Sequence, residues 1–98
     1  MAIVLYSARA LDDLEHLAEF VTEVAPETSL EVARLITGAV SVLERHPLIG
    51  RPTEAGLREL VISRGNTGYV ALYRFHSRRD AVWILRVRHQ RDVAYPEE

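Results

Sequence analysis

Cysteine and lysine are both missing from the 98 residues. A chain without thiols forms no disulfide, offers no thiolate nucleophile and cannot build a cysteine-ligated zinc site, and it suits a reducing compartment. The lack of lysine says more. All twelve cations are arginines, whose rigid planar forks read carboxylate and phosphate, whereas lysine is the cation whose pKa shifts readily for acid–base work. Long apolar runs are absent too. Nothing approaches the ~18 consecutive apolar residues of a membrane helix, and the opening Met1-Ala2-Ile3-Val4-Leu5-Tyr6 has neither the basic flank nor the length of a signal peptide. A soluble, cytoplasmic protein with no membrane partner is expected. His16, His46 and His76 are scattered without ligand spacing, so neither a metal nor a cofactor is expected. Ser63 lacks the elbow and the base of a hydrolase triad.

What is present points to one domain over residues 1–98, because 48% hydrophobic content at this length fills one modest core. Its charge is uneven. Residues 1–50 carry Arg9, Arg34 and Arg45 against eight acids, about −5, and residues 51–98 carry nine arginines against six acids, about +3, so the net −2 conceals a dipolar molecule. Strong direct binding to nucleic acid is not expected, since local arginines on a net-negative chain do not make the extended basic footprint that phosphates favour.

Ile3-Val4-Leu5-Tyr6 is a short β-prone run. Ser7 follows as an N-cap for a helix over roughly residues 8–24, with Asp12 and Asp13 read as acids of its first turn. Leu11, Leu14, Leu17, Ala18, Val21 and Val24 give that helix one apolar stripe. Pro26 breaks it and Glu27 and Thr28 restart it. Val32, Leu35, Ile36, Ala39, Val40 and Leu43 then form a second stripe, ending before Pro47, for an antiparallel helical hairpin over 8–46. Residues 47–56 are rich in chain breakers and read as a surface loop. A sheet over 57–89 follows: a strand from Arg58 to Arg64, a turn at Gly65-Asn66-Thr67-Gly68, a strand from Tyr69 to His76, a turn at Ser77-Arg78-Arg79-Asp80, and a strand from Ala81 to His89. On the middle strand Tyr69, Ala71, Tyr73 and Phe75 share one face and Val70, Leu72, Arg74 and His76 the other; period alone does not say which takes the helices. Residues 90–98 read as a tail. The class is α+β.

Three patterns in this order resemble the RelE/ParE family of toxins from bacterial type II toxin–antitoxin modules, which includes plasmid stabilisation proteins. They are Ala-x-x-Asp-Leu (Ala10 to Leu14), His-Pro-x-x-Gly-Arg (His46 to Arg51), and a Tyr-x-x-x-Tyr strand (Tyr69 to Tyr73) followed by Arg-His-x-Arg (Arg88 to Arg91). Each is only a few residues long, but their order and spacing span nearly the whole chain. The resemblance implies a short strand, a helical hairpin and a three-stranded antiparallel meander joined at its edge by the first strand. It also implies a cognate antitoxin, small, acidic and DNA-binding, whose C-terminal part is disordered alone and folds over the Arg-rich face.

The family divides by target: RelE-like members cleave mRNA on the ribosome, and ParE-like members poison DNA gyrase without nucleolysis. Cutting RNA through its 2′-hydroxyl needs a base, an acid and cations around the phosphorane. RelE-like toxins place lysines on the first sheet strand and arginines on the next two. Here Arg58-Glu59-Leu60-Val61-Ile62-Ser63 has no lysine, and Val70 stands where that pattern has an arginine. The resemblance therefore favours a ParE-like gyrase inhibitor. The alternatives are a ribosome-dependent endoribonuclease, with Arg64, His89, Arg91 and Tyr95 as its candidate catalytic set, and an inactive orphan binding module.

Candidate target contacts are Arg58, Arg64, Arg86, Arg88, His89 and Arg91. Candidate antitoxin contacts are Leu14, Val21, Ile36, Val40 and Arg74, on the ground that the hairpin holds more apolar positions than one small sheet covers. Each has a plainer role beside it. Arg86, Arg88 and Arg91 could guard a strand edge, Arg58 and Arg64 could pair with nearby acids, His89 could cap, and Tyr69, Tyr73 and Trp83 could pack across strands. The hairpin stripes could be consumed by the core.

Overall fold

The computed structural model describes residues 1–24, 29–64 and 67–90. The expected helix restart at Glu27 and Thr28, residues 65–66 of the expected Gly65–Gly68 turn and residues 91–98 of the expected tail lie outside these; Thr67 and Gly68, expected in the turn, are instead the first residues of a strand. In chain order come β1 (Ile3–Tyr6), α1 (Ala8–Val24), α2 (Ser29–Ser41), β2 (Arg51–Pro52), β3 (Arg58–Arg64), β4 (Thr67–His76) and β5 (Ala81–His89). The strands form one sheet in the order β1-β5-β4-β3-β2, with β1 parallel to β5 and the other pairs antiparallel.

Ser7 ends β1 and starts α1. Its hydroxyl oxygen accepts the Ala10 N–H at 3.0 Å, satisfying a first-turn donor, and its own proton goes to the Leu85 carbonyl at 3.0 Å, so the cap also ties the helix to β5. Asp12 and Asp13 fall past the first turn, which contains no acid. The apolar stripe also starts later than its spacing suggested: Leu11 is 54% exposed, while Ala10 is fully buried and Leu14 and Leu17 pack on the core. On α2 the spacing holds, with Val32, Ile36 and Val40 buried. A 3-10 turn, Val42–Glu44, continues that stripe to the fully buried Leu43.

The breaker-rich loop contributes an unexpected fifth strand. Arg51 pairs with Glu59 and Pro52 with Arg58, so β2 is a two-residue ladder at the sheet edge, where a proline costs no ladder donor. A bulge between Leu72 and Tyr73 places Tyr73 opposite Ile84 and Leu72 opposite Arg86, leaving Leu85 as the extra residue.

The register settles which face takes the helices. Tyr69, Ala71, Tyr73 and Phe75 join Leu60, Ile62, Val82, Ile84 and Val87 in one core cluster with Ala10, Val32, Ile36, Val40 and Leu43 of the hairpin. Val70 and Ala81 are also buried but stand outside that cluster, on the opposite face.

Candidate functional site

Three parts of the structure receive the residues singled out by the sequence. The first is the outer edge of β5. β1 ends at Tyr6, opposite Ile84, so the rest of β5 has no strand on that side. α1 covers it. Asp13 Oδ2 accepts the Val87 N–H at 2.8 Å and the Arg86 Nε–H at 2.9 Å, while Oδ1 accepts Arg86 Nη2 at 3.1 Å. The two side chains are only 14% and 13% exposed. A carboxylate thus substitutes for the missing strand and holds a forked guanidinium, a geometry that arginine suits and lysine does not.

The second part is the corner between α2 and the sheet. Tyr73 Oη accepts the Gly50 N–H at 2.9 Å and donates to the Pro47 carbonyl at 2.8 Å, within a fully buried side chain. Arg58 Nη1 donates to the carbonyls of Leu48 at 3.1 Å and Gly50 at 2.8 Å. Gly50 is required here by space: a Cβ would lie 2.6 Å from the Tyr73 ring and 2.8 Å from the Glu59 carbonyl. Burial pushes the Tyr73 phenol up from its ordinary value, against smaller downward pulls from the Gly50 N–H and the Arg58 charge.

The third part is the end of the sheet at the β3–β4 hairpin. His89 lies opposite Tyr69, ring centroids 5.6 Å apart and edge to face, and Arg88 lies opposite Val70. The Gln90 N–H donates to the Gly68 carbonyl at 2.7 Å. The Gln90 amide also lies directly over Gly68, where a Cβ would sit 2.1 Å from its Oε1. The hairpin is thereby clamped to the end of β5.

These placements separate residues that composition had grouped. Arg86 is held by Asp13, and Arg58 by two loop carbonyls, so both do structural work. Arg58 also stands six residues from Arg64 along β3, roughly 20 Å away from the His89 end. The side chains of Arg64 and Val21 are outside what is described, as are Arg91 and Tyr95. Of the catalytic set, then, only His89 has a described environment. For the antitoxin contacts, Ile36 and Val40 are corrections: they are 0% and 1% exposed, buried in the core cluster with the sheet. Leu14 is half-buried and lines a small apolar gap between the helices with Leu17, Val32, Ala33, Ile36 and Thr37. Arg74 lies opposite Trp83 on the sheet face away from the helices. Asp13, Gly50, Gly68 and Gln90 were not singled out for these roles. Asp13 and Gly50 do stand in the short patterns quoted above, which was the available signal.

Among the described residues no helix is long and apolar enough to cross a membrane. A family model described as "ParE toxin of type II toxin-antitoxin system, parDE" matches residues 4–94. The chain is 36% identical over 89 residues to Toxin RelE3 of Caulobacter vibrioides, covering 91% of this chain and 95% of the relative. It is 33% identical over 89 residues to Toxin RelE2 of the same organism, covering 91% and 96%. Among solved structures, the chromosomal ParDE TA system from P. aeruginosa superposes with a TM-score of 0.77 at 25% identity, covering 90% of this chain and 95% of that one. The toxin–antitoxin complex RelBE2 of Mycobacterium tuberculosis gives 0.59 at 31% identity, covering 91% and 98%. A hairpin on one face of a sheet with a parallel edge strand is therefore the fold of RelE/ParE toxins. This chain belongs to the ParE toxin family of type II toxin–antitoxin systems.

Proposed function

We propose that this toxin is ParE-like in action: it inhibits DNA gyrase by protein–protein contact in the cytoplasm and is neutralised by a cognate antitoxin. The supporting observation is where the sheet's cations are spent. A nuclease needs several cations converging on one phosphate to stabilise the phosphorane. Here Arg86 is engaged by Asp13, Arg58 by the carbonyls of Leu48 and Gly50, Val70 occupies the middle strand beside Arg88, and no lysine exists. A contact inhibitor needs only a complementary surface. The partner reading takes support from solved structures of similar proteins, described as a ParDE system and a RelBE2 toxin–antitoxin complex.

A second reading, a ribosome-dependent endoribonuclease, takes support from the RelE names of the two Caulobacter relatives and from His89, whose imidazole stands against Tyr69 at the end of the sheet. Purified toxin incubated with gyrase and relaxed plasmid, and in parallel with translating ribosomes, separates the two. Lost supercoiling with intact messages is the expected result. Messages severed at the ribosomal A site, with loss of cutting in His89→Ala, would overturn it. In cells lacking antitoxin, Arg88→Ala combined with Arg91→Ala relieves growth arrest while the fold persists, and His89→Ala stays toxic.

A further inference from the structure

The turn between β4 and β5 reads Ser77-Arg78-Arg79-Asp80 and sets two arginines side by side, at the end of the sheet far from the Tyr69–His89 pair. Its backbone is tied down. Ser77–Arg79 form one 3-10 turn, which the Asp80 N–H closes onto the Ser77 carbonyl at 3.2 Å. Asp80 takes a left-handed conformation (φ 48°), which aspartate tolerates better than most side chains, and its carbonyl accepts the Ile3 N–H at 2.9 Å, so β1 braces the turn. Two cavities adjoin it and differ in charge. The larger, about 710 Å³, mixes Glu44 and Asp80 with Arg45, His46 and Met1, so its charges offset one another. The smaller, about 380 Å³, is lined by Phe75, His76, Ser77, Arg78 and Arg79 and holds no acid among the described residues. His76 stands on the open face of the sheet, away from the helices, and Phe75 on the helix side, so this cavity sits where both faces of β4 end. His76, Ser77, Arg78 and Arg79 are all exposed. Among the described residues neither arginine has an ion-pair partner, and the turn's own acid, Asp80, lies 3.7 Å from the Met1 amine and lines the other cavity.

We propose that the β4–β5 turn is an oxyanion site that takes a phosphate group, held by the Arg78 and Arg79 guanidiniums with the Ser77 hydroxyl and the His76 imidazole beside them. The supply of donors selects phosphate over carboxylate. One planar fork already engages both oxygens of a carboxylate, which leaves the second fork, the hydroxyl and the imidazole without an acceptor. A tetrahedral phosphate offers one edge to the first fork and further oxygens to the others. Because the turn is closed by its own hydrogen bonds and braced by β1, binding does not have to order the loop, and little entropy is lost there. Two exposed guanidiniums supply a local contact and not the extended basic footprint of strong nucleic-acid binding. A free phosphate or phosphomonoester and a nucleic-acid backbone share this chemistry. None of these residues enters the gyrase reading, so the two stand or fall separately.

The test is an NMR titration of the full chain in which inorganic phosphate replaces chloride at constant ionic strength, read at the arginine Nε–H signals and the backbone amides of residues 76–80. Saturable shifts are expected at Ser77, Arg78 and Arg79, with an apparent affinity ~10-fold above that at Arg34, an exposed arginine on α2. Arg78→Ala combined with Arg79→Ala should abolish them. Arg78→Lys combined with Arg79→Lys, which keeps the charge and removes the forks, should weaken binding by roughly 3-fold or more. A short DNA duplex then separates the sources. An affinity per phosphate ~10-fold above that of the free ion assigns the site to a nucleic-acid backbone, and an equal or lower one assigns it to free phosphate. Shifts of the same size at Arg34, shifts that follow ionic strength alone, undiminished binding by the folded double-alanine variant, or tighter binding of a glutamate oligopeptide than of phosphate would overturn the assignment.

Discussion

Asp13→Ala should be among the most damaging single substitutions in this fold, and the reason can be worked from three hydrogen bonds. Asp13 accepts from Arg86 Nε at 2.9 Å, Arg86 Nη2 at 3.1 Å and the Val87 N–H at 2.8 Å. Removing one partner of a buried ion pair costs ~3–5 kcal/mol, because the remaining charge is left desolvated. Side-chain exposures of 14% and 13% let some water reach the Arg86 guanidinium, which argues for the low end, about 3 kcal/mol. The orphaned Val87 N–H adds about 1 kcal/mol. A domain of this size loses roughly 4–8 °C of Tm per kcal/mol, so a fall of about 15 °C or more is expected. Replacing both partners by apolar residues, Asp13→Leu with Arg86→Met, should recover more than half of the loss, since a buried pair exchanged for matched hydrocarbon is often close to neutral. Urea denaturation of the two single variants and the double variant measures the coupling. A loss under about 1 kcal/mol for Asp13→Ala, or strictly additive singles, would refute the claim that the pair is desolvated. Conversely, if the loss is large, any drop in toxicity of Arg86→Ala must be read against its melting curve before it is called a contact effect.

Tyr73→Phe removes the hydroxyl that joins the Gly50 N–H to the Pro47 carbonyl, and it should cost about 1–3 kcal/mol in urea titrations because both buried backbone groups lose their partner. Gly50→Ala should be worse than an ordinary surface Gly→Ala change. Its Cβ would be 2.6 Å from the Tyr73 ring and 2.8 Å from the Glu59 backbone carbonyl, so a loss of at least ~3 kcal/mol or failure to accumulate folded protein is expected. Alkaline pH gives an independent check. Burial raises the phenol pKa of Tyr6 and of Tyr73 above 10.0. The folded state therefore holds these protons more tightly than the unfolded chain, and the stability this supplies is complete below pH ~10 and is lost as pH climbs through the raised folded values. The urea midpoint of the parent should fall more steeply above about pH 10 than that of Tyr6→Phe; parallel curves would show that Tyr6 is not held neutral by the fold.

Much of the architecture was legible in the chain. The ends of α1, the limits of β3 and β5 and the α2 stripe all follow from capping, breakers and period. What was not legible depended on contacts distant in sequence. β2 is two residues long and contains Pro52, so it leaves no periodic trace. The bulge at Leu72/Tyr73 inserts Leu85 without any glycine to announce it. Asp13 has an ordinary reading as a helix-start acid, and only its meeting with Arg86, 73 residues away, removes two groups from the surface at once. The short patterns that pointed to the toxin family turn out to be mainly structural. Ala10 is buried, Asp13 caps the β5 edge and Leu14 packs on the core, while the corner pattern meets the strand pattern where Gly50 and Pro47 close on Tyr73. Family membership was readable for that reason: the shared residues build the shared fold. Target choice is carried elsewhere.

The same physics limits how the arginine-rich end of β5 can be used. Written in line, Arg86, Arg88, His89 and Arg91 look like one cationic patch, but a strand sends successive side chains to opposite faces. Arg88 pairs across β4 with Val70 on the open face, whereas His89 pairs with Tyr69, whose ring belongs to the core on the helix side. Arg86 is drawn to the strand's outer edge by Asp13. Three neighbours therefore face three directions, and no single ligand can engage all of them without taking the sheet apart. A phosphate bound on the open face would meet Arg88 without His89, and a proton exchanged at His89 would pass on the side away from Arg88. Arg88 and His89 are thus divided by the thickness of the sheet, while the side chains of Arg64, Arg91 and Tyr95 lie outside the described residues. A protein partner does not need the two together, and for it the separation costs nothing.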